Sequence, residues 1–109
     1  MFLGTFLCAK HFMRLLLESK DGDKASIEIN SIAALMVRGM VATPGYCVSK
    51  TAQLRLMEMI HEQHNTTEGL LAYSVHPGGV ATELSLGATP DAIHPFLVNS
   101  PELCGAFCV

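Results

Sequence analysis

Tryptophan is absent from this chain of 109 residues, lysine and arginine together number only seven, and just 16% of the residues are charged. Seven basic against ten acidic residues leave a net charge of −3, so there is no basic field to hold a phosphate backbone, and nucleic acid is not an expected partner. The longest apolar stretches, such as Leu15 to Leu17 and Gly69 to Val75, fall far short of the ~20 residues that a membrane span needs. The opening from Met1 to Ala9 lacks a positively charged leader and runs straight into Lys10-His11-Phe12-Met13-Arg14, which argues against a secretory signal. A cytoplasmic protein with no membrane partner is expected. The four cysteines, at 8, 47, 104 and 108, have no disulfide-framework spacing, and are expected to be reduced, buried, small apolar residues. No metal site is expected. Cys104 and Cys108 lack further ligands, and Glu58, His61 and His64 read as the solvated end of a helix.

What the chain has in excess is apolar surface: half of it is hydrophobic and its mean hydropathy is +0.35. Leu3, Phe6, Leu7, Phe12, Leu15 and Leu16 recur at helical spacing and predict an amphipathic helix over residues 2–18. A polar break at Lys20 to Lys24 precedes Ala25 to Ser31, which alternates like a strand. After Gly39 and Pro44-Gly45, a second helix is expected over 45–63. Its predicted inner face carries Val48, Ala52, Leu56, Met59 and Ile60, with Lys50, Gln53 and Glu62 elsewhere and Met57 and Met59 filling gaps in the core. Gly69 to Val75 reads as a buried strand that His76-Pro77-Gly78-Gly79 terminates. Residues 81–99 read as irregular or short helical pieces around Thr82-Glu83-Leu84. Ser100-Pro101-Glu102 opens a last helix, with serine as cap and proline in the first turn, that is cut off at Val109. Helix and strand alternate, so an α/β fold with a parallel sheet is expected.

One pair of residues suggests chemistry. Tyr46 and Lys50 lie four apart on a predicted helix and so project from one face. A phenol ordinarily keeps its proton up to a pH of ~10, and a fixed ammonium beside it favours the phenolate that an acid/base needs. Ser31 closes the preceding strand at the carboxyl edge, where open α/β sheets bind ligands, and can donate to a carbonyl oxygen. Pro77-Gly78-Gly79-Val80-Ala81-Thr82 follows the next strand at the same edge, and its glycines permit close backbone approach to a ligand.

The segments Ile29-Asn30-Ser31-Ile32-Ala33-Ala34, Pro44 to Ala52 and Val75 to Leu84 together resemble the short-chain dehydrogenase/reductase family, Rossmann-fold enzymes that transfer a hydride between NAD(P) and an alcohol or carbonyl. Pro95 to Val98 and Pro101 to Gly105 are similar to fungal members. The resemblance implies that Tyr46 is the catalytic acid/base, that Lys50 stabilises its phenolate and holds the nicotinamide ribose, and that Ser31 orients the substrate carbonyl. It also implies that Pro77, Gly78, Val80 and Thr82 lie along the cofactor, which is NAD or NADP.

Three family features are absent from the chain: the glycine-rich nucleotide loop, the residue that selects NAD or NADP, and the Asn-Asn-Ala-Gly stretch. The family's relay asparagine would fall at Met1. The interval of 15 residues from Ser31 to Tyr46 suggests a small insertion around Met40 to Thr43. Residues 1–109 are therefore expected to be one incomplete NAD(P)-binding Rossmann-like domain: the catalytic half of a doubly wound, three-layer α/β/α sheet, without its N-terminal nucleotide-binding half. Alone, such a chain should aggregate and lack activity, whereas the full-length protein should form homo-oligomers around a small-molecule alcohol or carbonyl substrate. The alternative function is a non-catalytic interaction module that uses its exposed sheet edge.

Overall fold

A computed structural model describes residues 2–37 and 42–108. Met1, Gly39, Val109 and part of the expected insertion at 40–43 lie outside them. The elements are α1 (Phe2–Glu18), β1 (Ala25–Ile29), a 3-10 turn (Ile32–Ala34), α2 (Pro44–Glu68), β2 (Leu71–Val75), α3 (Glu83–Ala88), a second 3-10 stretch (Asp91–Phe96) and α4 (Pro101–Phe107). The strands pair in parallel, Ala25 opposite Leu71 and Ile29 opposite Val75, with α2 as the crossover between them. Parallel pairing needs such a long return, and this is the α/β arrangement the alternation predicted. It forms part of a Rossmann-like sheet. The third layer of the expected α/β/α sandwich is not seen among the described residues.

Helix boundaries follow local chemistry. The Thr43 hydroxyl accepts from the Tyr46 amide and caps α2, with Pro44 in the first turn. The helix runs five residues beyond its expected end, to Gly69, whose φ of +69° lets its amide bond back to the carbonyls of His64 and Asn65. Ser100 caps α4 as its sequence predicted.

The core is small and sits where α1 and α2 meet β2. Met57, Ile60 and Leu70 are buried, with Ala9, Met13, Leu16, Leu17, Leu56 and Ala72 packed against them. Three expectations are corrected by this packing. On α2 the inner row is Lys50, Gln53, Met57 and Ile60, while Val48 and Met59 lie exposed. The 3.6-residue period had to turn either the apolar or the mixed row inward; in the mixed row Lys50 meets Glu28 and Asn30 of the first strand, Gln53 donates to Thr5 of α1, and Met57 and Ile60 join the apolar core. On α1 the row facing the core is Ala9, Met13, Leu16 and Leu17, whereas Leu3, Phe12 and Leu15 point outward. The strands are not buried on both faces: Glu28 and Asn30 are covered, but Ile27, Ile29, Leu71 and Tyr73 are exposed, because described helices cover only one side of the sheet. The cysteines are free as expected, but Cys8 is exposed and the other three are half-buried.

Candidate active site

The carboxyl ends of both strands and the first half of α2 meet at one end of the sheet. Lys50 is buried, and its Nζ donates to the Ile29 carbonyl at 2.7 Å. Its own backbone carbonyl accepts from Asn30 Nδ2 at 3.2 Å. One residue further along α2, Thr51 Oγ1 donates to the Ala34 carbonyl at 2.8 Å, tying the helix to the turn that follows Ser31. From the other strand, His76 Nδ1 accepts from the Ile32 amide at 3.3 Å, so the two post-strand loops are joined directly. This bond requires the tautomer with Nδ1 unprotonated.

Ser31 is half-exposed and caps the 3-10 turn, its Oγ accepting from the Ala33 amide at 3.2 Å while its own amide donates to Asn30 Oδ1 at 2.8 Å. Those bonds set the serine backbone and leave its hydroxyl proton available to an incoming oxygen. Tyr46, also half-exposed, stands one turn before Lys50 on α2. The structure thus anchors Lys50 and Ser31 to the same strand end, with Tyr46 on the helix that carries Lys50.

The loop after β2 packs closely against residues 96–99. Gly78 has a φ of +87°, and a Cβ there would lie 2.6 Å from Asn99 Oδ1; a Cβ on Gly79 would lie 2.7 Å from the Phe96 carbonyl. The close approach that these glycines permit is therefore to residues 96–99 of the chain itself. Asn99 Oδ1 accepts from the Gly79 amide, and Val80 bridges to Asn99. The Thr82 hydroxyl accepts from the Ser85 amide in a capping box that starts α3. Pro77 is half-buried beside the glycines. Of the residues expected along a dinucleotide, Tyr46 and Lys50 bring a hydroxyl and an ammonium suited to a ribose, while Gly78, Val80 and Thr82 are engaged within the chain.

Nothing in the sequence assigns a role to Glu28, Asn30, Ser74 or Asn99. The one signal for Glu28 and Asn30 is that they alternate with Ile27 and Ile29, which cannot say which row is covered. The two histidines after Glu58 have local partners: His61 Nδ1 accepts from the Ala72 amide at 3.4 Å, and His64 Nδ1 lies 3.0 Å from Glu68 Oε2. Among the described residues no helix is long and apolar enough to cross a membrane.

A family model for short chain dehydrogenases matches residues 1–92. The chain is 32% identical over 108 residues to the short chain dehydrogenase pgmD of Aspergillus terreus, covering 99% of this chain and 34% of that protein. It is 38% identical over 101 residues to mpl6 of Monascus purpureus, covering 93% and 32%, and 32% identical over 102 residues to andI of Emericella variicolor, covering 94% and 33%; both carry the same description. The chain thus spans about a third of the length of the curated relatives it matches. No solved structure matches it. With the parallel β-α-β unit and nearly the whole chain aligned to such relatives, this protein belongs to the short chain dehydrogenase family.

Proposed function

We propose that residues 1–109 are the catalytic part of a longer cytoplasmic oxidoreductase that interconverts a small-molecule alcohol and its carbonyl with NAD or NADP. The anchoring of Lys50 and Ser31 at one strand end, with Tyr46 one turn along the same helix, carries this reading. NAD(P), when bound, supplies or accepts the hydride.

The rest is done by side chains of this chain. The Ser31 hydroxyl donates to the substrate carbonyl oxygen and fixes its direction. The Tyr46 hydroxyl gives its proton to that oxygen during reduction, and the Tyr46 phenolate takes one from the alcohol during oxidation. Lys50, held by the Ile29 carbonyl, places a positive charge that favours the phenolate between these events and offers donors to a ribose. The nicotinamide ribose is the part of the cofactor that these residues suit.

The test is Tyr46→Phe in the natural gene product that carries these residues. Turnover is expected to fall by about 10²–10⁴-fold, the range for loss of a general acid/base, with NAD(P)H still bound. Undiminished turnover rules out the assigned role. The exposed apolar residues of α1 and the sheet favour, as a second reading, a non-catalytic interaction module. A gene product with Tyr46 and Lys50 intact, no measurable NAD(P)H binding and a stable protein partner supports it instead.

A further inference from the structure

Glu28 is a buried carboxylate at the next-to-last position of β1, 8% exposed, on the strand face covered by helices. Its Oε2 accepts from Ser74 Oγ on the neighbouring strand at 2.6 Å. Its Oε1 has no hydrogen-bond donor and lies 3.6 Å from the Nζ of Lys50, itself 6% exposed. Asn30 Nδ2 closes the ring, donating to Ser74 Oγ at 2.8 Å and to the Lys50 carbonyl, while Asn30 Oδ1 holds the Ser31 amide. The network therefore runs without a break from Glu28 to Lys50 and to the backbone of Ser31.

A buried carboxylate and ammonium rarely add net stability over an apolar pair of the same size, because both must lose their water. Their value here lies in placement. The ammonium has three N–H donors; one is spent on the Ile29 carbonyl, and the Glu28 charge draws the head group toward the strand. An unpaired lysine on its four-carbon stem would swing instead.

We propose that Glu28 is a positioning residue for the reaction: its carboxylate, fixed by Ser74, holds the Lys50 ammonium at the end of the sheet where the tyrosine and the ribose meet it. This rests on the dehydrogenase reading above. The experiment uses the natural gene product labelled with ¹⁵N-lysine, in which the Lys50 ammonium resonance is identified by its loss in Lys50→Met. In Glu28→Gln, hydrogen exchange of that ammonium rises at least ~10-fold and kcat falls about 10- to 100-fold, the scale of a small misplacement of a reacting group. Glu28→Asp, which keeps the charge, recovers most of both. Ser74→Ala, which withdraws the hydroxyl from Glu28 without touching Lys50, moves both in the same direction and serves if Glu28→Gln does not fold. An unchanged exchange rate of that ammonium or an unchanged kcat in a folded variant overturns the proposal. The two levels separate: wild-type turnover in Lys50→Met sinks the dehydrogenase reading, whereas loss in Lys50→Met with full activity in Glu28→Gln removes only the role of Glu28.

Discussion

Asn99 occupies the space that a side chain on Gly78 would need. Its Oδ1 accepts from the Gly79 amide at 2.8 Å and would stand 2.6 Å from a Cβ on Gly78. The backbone at Gly78 is also left-handed, at a φ of +87°, which a side chain disfavours. The third residue past β2 is thus glycine for two separable reasons, one conformational and one steric.

Gly78→Ala should cost about 1–3 kcal/mol of stability in urea unfolding. Adding Asn99→Ala relieves the steric part and leaves the conformational part. At Gly79 the obstacle is the Phe96 carbonyl, part of the backbone and unable to rotate away, so Gly79→Ala should cost at least as much. Gly87, in α3 with nothing within 4 Å of an added Cβ, is the control: alanine there should be neutral or stabilising by up to ~1 kcal/mol. Equal losses at positions 78 and 87 would refute the steric account.

Lys50→Met leaves the Glu28 carboxylate buried without its counter-charge. A loss of about 3–5 kcal/mol is expected, the scale for removing one member of a buried pair. Lys50→Met combined with Glu28→Gln should restore part of it, since the double variant buries no lone charge; a double-mutant cycle in urea measures the coupling. Additive losses would show that the two side chains do not interact.

Glu68, at the end of α2, has its carboxyl held below the usual carboxylate range, first by the Thr67 hydroxyl and then by the His64 ring. Because the folded state binds this proton less readily than the unfolded one, the contribution to stability is present above the ordinary carboxylate range and is lost as pH falls through the depressed value. NMR titration of the Glu68 side chain should show a midpoint below that of an ordinary glutamate, and Thr67→Val should move it back up. A midpoint that Thr67→Val leaves unmoved would contradict the hydrogen bond.

The 109 residues expressed by themselves should self-associate and bind a hydrophobic dye. Ile29, Tyr73, Leu3, Phe12 and Leu15 are 47, 48, 65, 64 and 63% exposed, which places apolar surface on both the sheet and α1. Light scattering and dye fluorescence check this directly. Monodisperse protein of this length that binds NAD(P)H with a micromolar Kd would overturn it.

How much was readable in advance differs from element to element. The helix over 2–18 and the strand starting at Ala25 follow from spacing and breaks that act over a few residues, and the structure has them at those positions. The end of α2 was missed because Asn65-Thr66-Thr67 are poor helix formers, yet the helix continues until Gly69 supplies a left-handed cap. The inner faces of both helices match the expected rows only in part, at Ile60 and Leu56 on α2 and Leu16 on α1, for another reason. Each helix carries apolar residues on more than one side, and periodicity alone cannot say which side meets the sheet.

The order of elements, the four-residue interval from Tyr46 to Lys50, the serine at the end of a strand and the family were all present in the chain as a string. Each depends on near neighbours or on exact residue identity. The burial of Glu28 against Lys50 and the bond from Ile32 to His76 were decided only when β1 and β2 paired and α2 crossed between them, and the clasp of Asn99 on Gly78 only when the chain after β2 folded back on itself. Those contacts join residues 20 or more positions apart, and a strand's alternation is indifferent to which of its two faces is covered. Only the packing of α1 and α2 on one side of the sheet made the polar row of β1 the inner one.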